Sequence, residues 1–184
     1  MRHLLLDKLE QRHDCVATDD LLITRIADDL AFLLPLLRKF PKCYWIWKYR
    51  LWLLGEATEY LPASEARKIW QQELTLASKM LSLDSRNFLG WGYRRTVVAA
   101  LESQKLSPDN ATSSMVEEEF DYTTKMINSN LSNFSAWHNR SKMIPRLMDQ
   151  RQANHKDRRK FLDEGKPYRD LEGLLVLIVK KSLS

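Results

Sequence analysis

The residue types best suited to metal or nucleophilic chemistry are few in this chain and far apart. They are four histidines and two cysteines: His3, His13, His138, His155, Cys15 and Cys43. None of them forms a pair at zinc-site spacing, and the five glycines form neither a phosphate-binding loop nor a nucleophile elbow. We therefore predict no metal site and no complete catalytic centre in this chain, and we expect both cysteines to be reduced thiols.

Charged residues, in contrast, recur at a fixed register. The motif aromatic-x-x-Trp-x-x-Arg occurs three times: Tyr44, Trp47, Arg50; Phe88, Trp91, Arg94; and Phe134, Trp137, Arg140. Fifteen residues before each leading aromatic stands an acid, and these acids are Asp29, Glu73 and Glu119. A planar guanidinium on the apolar side of a helix is well suited to bond a carboxylate or helix carbonyls. We expect these arginines to do so between stacked elements.

The spacing of the motifs predicts the elements that position them. Trp91 follows Trp47 by 44 residues and Trp137 follows Trp91 by 46, which is typical of helix-hairpin repeats. Apolar residues recur in register at helical steps around each motif: Ile26, Trp70, Val116; Leu30, Leu74, Phe120; Leu37, Leu81, Ile127; and Leu54, Val98, Ile144. We predict an all-α fold, a right-handed solenoid (α-α superhelix) of antiparallel helix hairpins.

We place the repeats at about 21–60, 61–106 and 107–150, within one helical domain that covers 1–184. A partial repeat precedes them at 1–20 and an incomplete, divergent repeat follows at 151–184, so the chain looks truncated at both ends. Residues 1–6 are similar to the tail of an earlier repeat that begins after its Trp.

Local signals within the repeats make three further predictions. The leading aromatics and the tryptophans are interpreted as hairpin core. Asn87 and Asn133 should cap the second helices of their hairpins, whereas Cys43 in the same place should cap poorly. Pro35 should kink or shorten the helix that contains it.

Composition excludes several classes of protein. The chain has 184 residues and a formal net charge of +5, but its one basic cluster, 155–160, is of a length typical of a solvated helix start or loop. Nucleic acid is therefore not an expected partner. The apolar run 174–179 is too short to cross a bilayer, and no secretory signal is evident, so we expect a cytoplasmic protein.

Three sequence blocks carry a resemblance to a known family. Residues 41–50, 86–95 and 133–141 resemble the repeats of protein prenyltransferase α subunits, and the similarity covers roughly residues 20–148. The resemblance implies a non-zinc-binding α subunit of a heterodimeric enzyme. In this family a crescent of helix hairpins surrounds a β subunit that carries the zinc and most of the isoprenoid pocket.

The resemblance also implies a small contribution from this chain to the active site. Lys42 and Tyr44 match the family positions that face the isoprenoid diphosphate. An ammonium and a phenol there can stabilise the charge that the leaving diphosphate gains.

Within the family, the blocks 86–100 and 132–145 are most similar to the subunits that serve Rab proteins. That likeness implies the transfer of geranylgeranyl from geranylgeranyl diphosphate to carboxy-terminal cysteines of Rab GTPases, with an escort protein. Two alternatives remain open: the α subunit shared by the farnesyl and type I geranylgeranyl enzymes, and a non-catalytic helical-repeat scaffold.

Overall fold

The computed structural model describes residues 15–106 and 114–150, and side chains from residue 20 onward. These residues form six α-helices and no strand: α1 Cys15–Lys39, α2 Tyr44–Tyr60, α3 Ala63–Leu83, α4 Phe88–Leu101, α5 Val116–Ser129 and α6 Phe134–Gln150. The predicted all-α class is confirmed. The predictions for 1–14 and 151–184, including the basic cluster and the apolar run, lie outside the described residues.

The chain divides into two compact units, Met1–Ser114 and Met115–Ser184. In the first unit α1 packs on α2 to form hairpin 1, and α3 packs on α4 to form hairpin 2. Helix α2 also packs on both helices of hairpin 2, so the two hairpins share one apolar core. In the second unit α5 and α6 form hairpin 3.

The core consists largely of the apolar positions that recur in register. Most of these positions are buried: Ile26, Leu30, Leu37, Leu54, Trp70, Leu81, Val98, Val116, Ile127 and Ile144. Leu74 and Phe120 are half-buried. Because steps of four and seven residues return to nearly the same side of an α-helix, one continuous stripe of each helix faces its hairpin partner.

The leading aromatics differ from the prediction. Trp47 and Trp91 are buried, as expected of hairpin core, but Tyr44 is 51% exposed, Phe88 70% and Phe134 75%. The prediction that the leading aromatics pack in the hairpin core is therefore wrong. Helical side chains point toward the amino terminus of their helix, so a side chain on the first residue projects past the end of the hairpin. One turn later, the tryptophan lies opposite the partner helix.

Pro35 is predicted to kink or shorten its helix, and of these two effects the shortening does not occur. Helix α1 continues for four residues beyond it, to Lys39. Pro35 is exposed. A proline leaves the carbonyl four residues earlier without its helical bond, and on an exposed face water can supply that bond.

Candidate functional site

The turn that joins α1 to α2 places Lys42 and Tyr44 at the end of hairpin 1. The Lys42 side chain is 73% exposed, and Tyr44 is the first residue of α2. The Tyr44 ring contacts the neighbouring ring of Trp45 edge-on, with 5.5 Å between centroids. The turn therefore presents a lysine and a tyrosine, both exposed, at the start of one helix.

The backbone of this turn is held from two sides at the Pro41 carbonyl. The Trp47 indole Nε1 donates to it at 2.9 Å, and the Asn87 amide Nδ2 of hairpin 2 donates to it at 2.8 Å. The equivalent tryptophans of the other two hairpins each donate a bond to the corresponding backbone carbonyl of their own turn. Trp91 donates to Ser85 and Trp137 to Leu131, each six residues earlier. The tryptophan of the motif thus fixes the turn before its own helix.

Lys42 reaches across to the corresponding turn of hairpin 2. Its Nζ lies 3.5 Å from Oδ2 of Asp84, whose side chain is 32% exposed. The Oδ1 atom of Asp84 accepts from the backbone N–H of Arg86 at 3.3 Å. Arg86 is exposed and occupies the register position of Lys42, two residues before the leading aromatic. Two basic side chains therefore border the same pair of turns.

The amino terminus of α2 differs from those of α4 and α6. Asn87 accepts bonds from the backbone N–H groups of Leu89 and Gly90, both at 3.1 Å, and Asn133 accepts from Ala136. Both predicted caps are confirmed. Cys43 makes no capping bond, also as predicted. Because Cys43 supplies no acceptor, the first-turn N–H groups of α2 remain available to an anion beside Lys42.

A buried polar network joins hairpin 1 to hairpin 2 behind these turns. Arg50 donates from Nε to Oε2 of Glu73 at 2.9 Å and from Nη2 to Oε1 at 2.6 Å, while its Nη1 donates to the Leu30 carbonyl at 2.8 Å. Both side chains are almost fully buried. The expectation that a guanidinium bonds a carboxylate and a helix carbonyl is confirmed for Arg50.

Tyr93 completes this network. Its hydroxyl donates to Oε2 of Glu73 at 2.5 Å, and its ring packs on Trp47 with 4.9 Å between centroids. Burial, and then the adjacent Glu73 carboxylate, raise the pKa of Tyr93 far above its ordinary value. Burial opposes the charge on Arg50, but the bond and charge of Glu73 outweigh it, so the pKa of Arg50 is also raised.

Arg94 and Arg140 use a hydroxyl that sequence reasoning missed. Nη1 of Arg94 bonds the Ser78 hydroxyl at 2.7 Å, and Nη1 of Arg140 bonds the Thr124 hydroxyl. Each hydroxyl in turn donates to the carbonyl four residues earlier, that of Leu74 or Phe120.

Those two carbonyls are in register with the carbonyl that Arg50 bonds directly. In hairpins 2 and 3 the hydroxyl therefore connects the arginine to the helix carbonyl that Arg50 bonds directly in hairpin 1. This hydroxyl can be recognised in the sequence as a Ser or Thr ten residues before the leading aromatic. Leu34 occupies that place in hairpin 1.

The described part of the chain offers no metal centre. Among residues 15–106 and 114–150, no group of three or more His, Cys, Asp and Glu side chains is arranged to hold a metal ion. Within the same residues, no helix combines the length and apolar character that a membrane crossing requires.

The helix hairpins and their recurring Trp and Arg contacts define a class of repeat protein. The protein prenyltransferase alpha subunit repeat matches residues 26–57, 70–101 and 116–147, which together make up just over half of the chain. The chain belongs to the protein prenyltransferase α-subunit repeat family. Each matched segment covers most of one hairpin, from the first helix through the motif into the second helix.

The curated relatives of this chain include α subunits of one enzyme type. The chain is 42% identical over 102 residues to "Geranylgeranyl transferase type-2 subunit alpha" of Candida albicans, which covers 55% of this chain and 25% of that protein. The protein of the same name from Saccharomyces cerevisiae is 47% identical over 75 residues, 41% of this chain and 21% of that protein. The one from Sus scrofa is 36% identical over 89 residues, 48% of this chain and 14% of that protein.

The matched part of this chain thus spans a quarter or less of each of these relatives. No solved structure matches the chain significantly.

Proposed function

We propose that this chain acts as the α subunit of a Rab geranylgeranyltransferase. With a β subunit it supports transfer of geranylgeranyl from geranylgeranyl diphosphate to carboxy-terminal cysteines of Rab GTPases presented by an escort protein. The β subunit supplies the zinc and most of the active site. This proposal is consistent with the names of the curated relatives and with the lack of a metal-binding group in the described residues of this chain.

One observation carries the proposal for the site. Among the second helices of the three hairpins, α2 has no side-chain cap, and it is the helix that begins beside Lys42 and Tyr44. An uncapped helix terminus, an ammonium and a phenol form a suitable environment for a diphosphate. The Pro41 carbonyl, held by Trp47 and Asn87, fixes the backbone that presents them.

The chemical role of this environment is to stabilise the leaving group. As the thioether forms between the Rab cysteine sulfur and the isoprenoid carbon, the carbon–oxygen bond to the diphosphate breaks and its electron pair stays on the diphosphate. Lys42 offsets this added charge, and the Tyr44 hydroxyl donates a hydrogen bond to it. Asp84, 3.5 Å from the Lys42 ammonium, holds Lys42 at the turn until the diphosphate binds.

The exposed leading aromatics support a role in assembly. Tyr44, Phe88 and Phe134 all occupy the first residue of a second helix, and all three project past the end of their hairpins. Aromatic side chains are enriched at protein interfaces relative to the rest of a protein surface. We assign these ends of the hairpins to contact with the β subunit.

The test is co-expression with a type II geranylgeranyltransferase β subunit, followed by size-exclusion chromatography and transfer assays. The complex should elute with one copy of each subunit and transfer geranylgeranyl to a Rab protein in the presence of zinc and escort protein. A parallel reaction with a Cys-a-a-X peptide and farnesyl diphosphate tests the shared farnesyl and type I subunit, for which a farnesyltransferase β subunit replaces the type II one. Assembly without transfer in either reaction would contradict the enzyme proposal and indicate a scaffold.

A further inference from the structure

Asp84 is the one acid in the basic surface at the turns of hairpins 1 and 2. The segments 38–44 and 83–88 contain four basic residues, all exposed: Arg38, Lys39, Lys42 and Arg86. Asp84 is their single acidic residue, and its Oδ2 lies 3.5 Å from Nζ of Lys42. A negative charge of the chain itself therefore lies against the lysine that we assign to the diphosphate.

The turn of hairpin 2 needs an oxygen acceptor from Asp84 but not its charge. Oδ1 of Asp84 accepts from the backbone N–H of Arg86 at 3.3 Å. Asn130 occupies the same register position in hairpin 3, four residues before the leading aromatic, and its Oδ1 accepts from the backbone N–H of Ser132 at 3.1 Å. Because a neutral amide makes the same turn bond, the turn does not explain why residue 84 is a carboxylate.

The helix before the turn does not explain the charge either. Asp84 directly follows the last residue of α3, where the partial negative charge of a helix end disfavours a carboxylate. The contact with Lys42 offsets this effect, but an ion pair between two solvent-accessible groups contributes little to stability. An incoming anion of higher charge can therefore displace Asp84 from Lys42 without disturbing the fold.

We propose that Asp84 competes with diphosphate for the Lys42 ammonium, so that it lowers the affinity of the site for diphosphate and favours release of the diphosphate product. This inference rests on the proposed function. The bond to Arg86 keeps the carboxylate at the turn after Lys42 has changed partner, so Asp84 repels the bound diphosphate at close range. The isoprenoid chain of the substrate adds apolar contact that offsets this repulsion, whereas the released diphosphate has no such contact.

The test is a calorimetric titration of inorganic diphosphate into the complex with a type II β subunit. Asp84→Asn keeps the oxygen that accepts from Arg86 and removes the charge, so it should lower the Kd for inorganic diphosphate by about fivefold. The matched control is Asp28→Asn, which removes the same charge from an exposed position on α1. Lys39, the last residue of α1, follows Asp28 by 11 residues. That separation is about 16 Å along a helix and exceeds the screening length, so the control should leave the Kd unchanged.

The direction of the change separates competition from a structural role. Damage to the turn would weaken the binding of diphosphate, whereas loss of the competing carboxylate strengthens it. An unchanged or raised Kd for Asp84→Asn would overturn the proposal, and so would an equal decrease for Asp28→Asn. The difference should also shrink as the salt concentration rises, because exposed charges are screened. A difference that salt does not reduce would overturn the electrostatic origin.

The titration can be read separately from the proposed function, because it measures binding and not transfer. If the unaltered complex transfers geranylgeranyl but Asp84→Asn binds diphosphate no more tightly, the role of Asp84 is contradicted and the proposed function stands. If the complex binds diphosphate as expected but does not transfer, the enzyme proposal fails and the competition by Asp84 is still supported. A complex that bound no inorganic diphosphate would contradict both.

Discussion

Arg50 and Glu73 join two consecutive hairpins through a two-point contact, with guanidinium-to-carboxylate distances of 2.9 and 2.6 Å. Tyr93 bonds the same carboxylate from within hairpin 2, and the Leu30 carbonyl accepts the third bond of Arg50 from within hairpin 1. Helices α1, α2, α3 and α4 therefore meet at one buried polar cluster. Because the cluster lies behind the turns of Lys42 and Asp84, the stacking of hairpins also sets the position of the candidate site.

Removing the guanidinium should destabilise the first unit strongly. Arg50→Leu leaves Glu73 buried with one hydrogen-bond donor, and we expect a loss of about 3–5 kcal/mol in the free energy of unfolding by urea denaturation. The double variant Arg50→Leu, Glu73→Leu should lose much less, because no buried charge remains. Lys48→Leu, an exposed change on the same helix, should stay within about 0.5 kcal/mol. A loss below about 1 kcal/mol for Arg50→Leu would contradict this account.

The Asn87 bond to Pro41 can be separated from its cap. Asn87→Asp keeps the oxygen that caps α4 but removes the Nδ2 donor to the Pro41 carbonyl. Asn133→Asp is the matched control, since Asn133 is equally buried and its Nδ2 has no hydrogen-bond partner in the described structure. By urea denaturation Asn87→Asp should cost about 1–3 kcal/mol more than Asn133→Asp. Equal losses would mean that the bridge to Pro41 contributes nothing.

Alkaline pH should weaken the fold through Tyr93. Its pKa is raised in the folded chain, so the contribution is fully present below the ordinary value of about 10. Above that pH the unfolded chain releases a proton that the folded chain retains, and stability falls as pH rises. Tyr93→Phe should therefore lose about 1 kcal/mol less between pH 10 and pH 11 in urea denaturation, because the unfolded tyrosine is only partly ionised in this range. The control is Tyr60→Phe, because Tyr60 is exposed. If the stability of Tyr93→Phe declined with pH as steeply as that of the unaltered chain, the role assigned to Tyr93 would be contradicted.

The two aromatics of one motif should differ in their effect on stability. Trp91 is 2% exposed and Phe88 70%. Trp91→Ala should cost about 3–5 kcal/mol in the free energy of unfolding, because it leaves a cavity and removes the bond to the Ser85 carbonyl. Phe88→Ala should stay within about 0.5 kcal/mol. A large loss for Phe88→Ala would restore the interpretation of this residue as hairpin core.

Much of the fold follows from periodic features that a sequence displays directly. The apolar stripes predict the hairpins, and the asparagines before Phe88 and Phe134 predict the caps. The exposure of the leading aromatics does not follow, because a helix period places Phe88 and Trp91 on similar sides and is silent about where the partner helix ends. Residue spacing therefore predicts which residues share a face, but not which of them extend beyond the hairpin.

The site was less predictable for a related reason. The Pro41 carbonyl is a backbone acceptor, and backbone acceptors leave no mark in a residue pattern. Ser78 and Thr124 are visible in the residue pattern. A hydroxyl in an apolar stripe, however, is equally explained by a hydrogen bond to a carbonyl of its own helix, so the pattern does not predict an arginine partner. Lys42 and Tyr44 stay predictions, since their proposed role depends on a diphosphate and a β subunit outside this chain.

The most direct test of the proposed function is the single-turnover rate of geranylgeranyl transfer to a Rab protein by the purified complex with a type II β subunit. Lys42→Ala should assemble normally but slow transfer by about tenfold or more, because one positive charge beside the leaving diphosphate is lost. Lys48→Ala, an exposed lysine on the same helix, should transfer at the unaltered rate. Equal rates for Lys42→Ala and the unaltered complex would contradict the diphosphate role of this turn, and no transfer by the unaltered complex would contradict the proposed function itself.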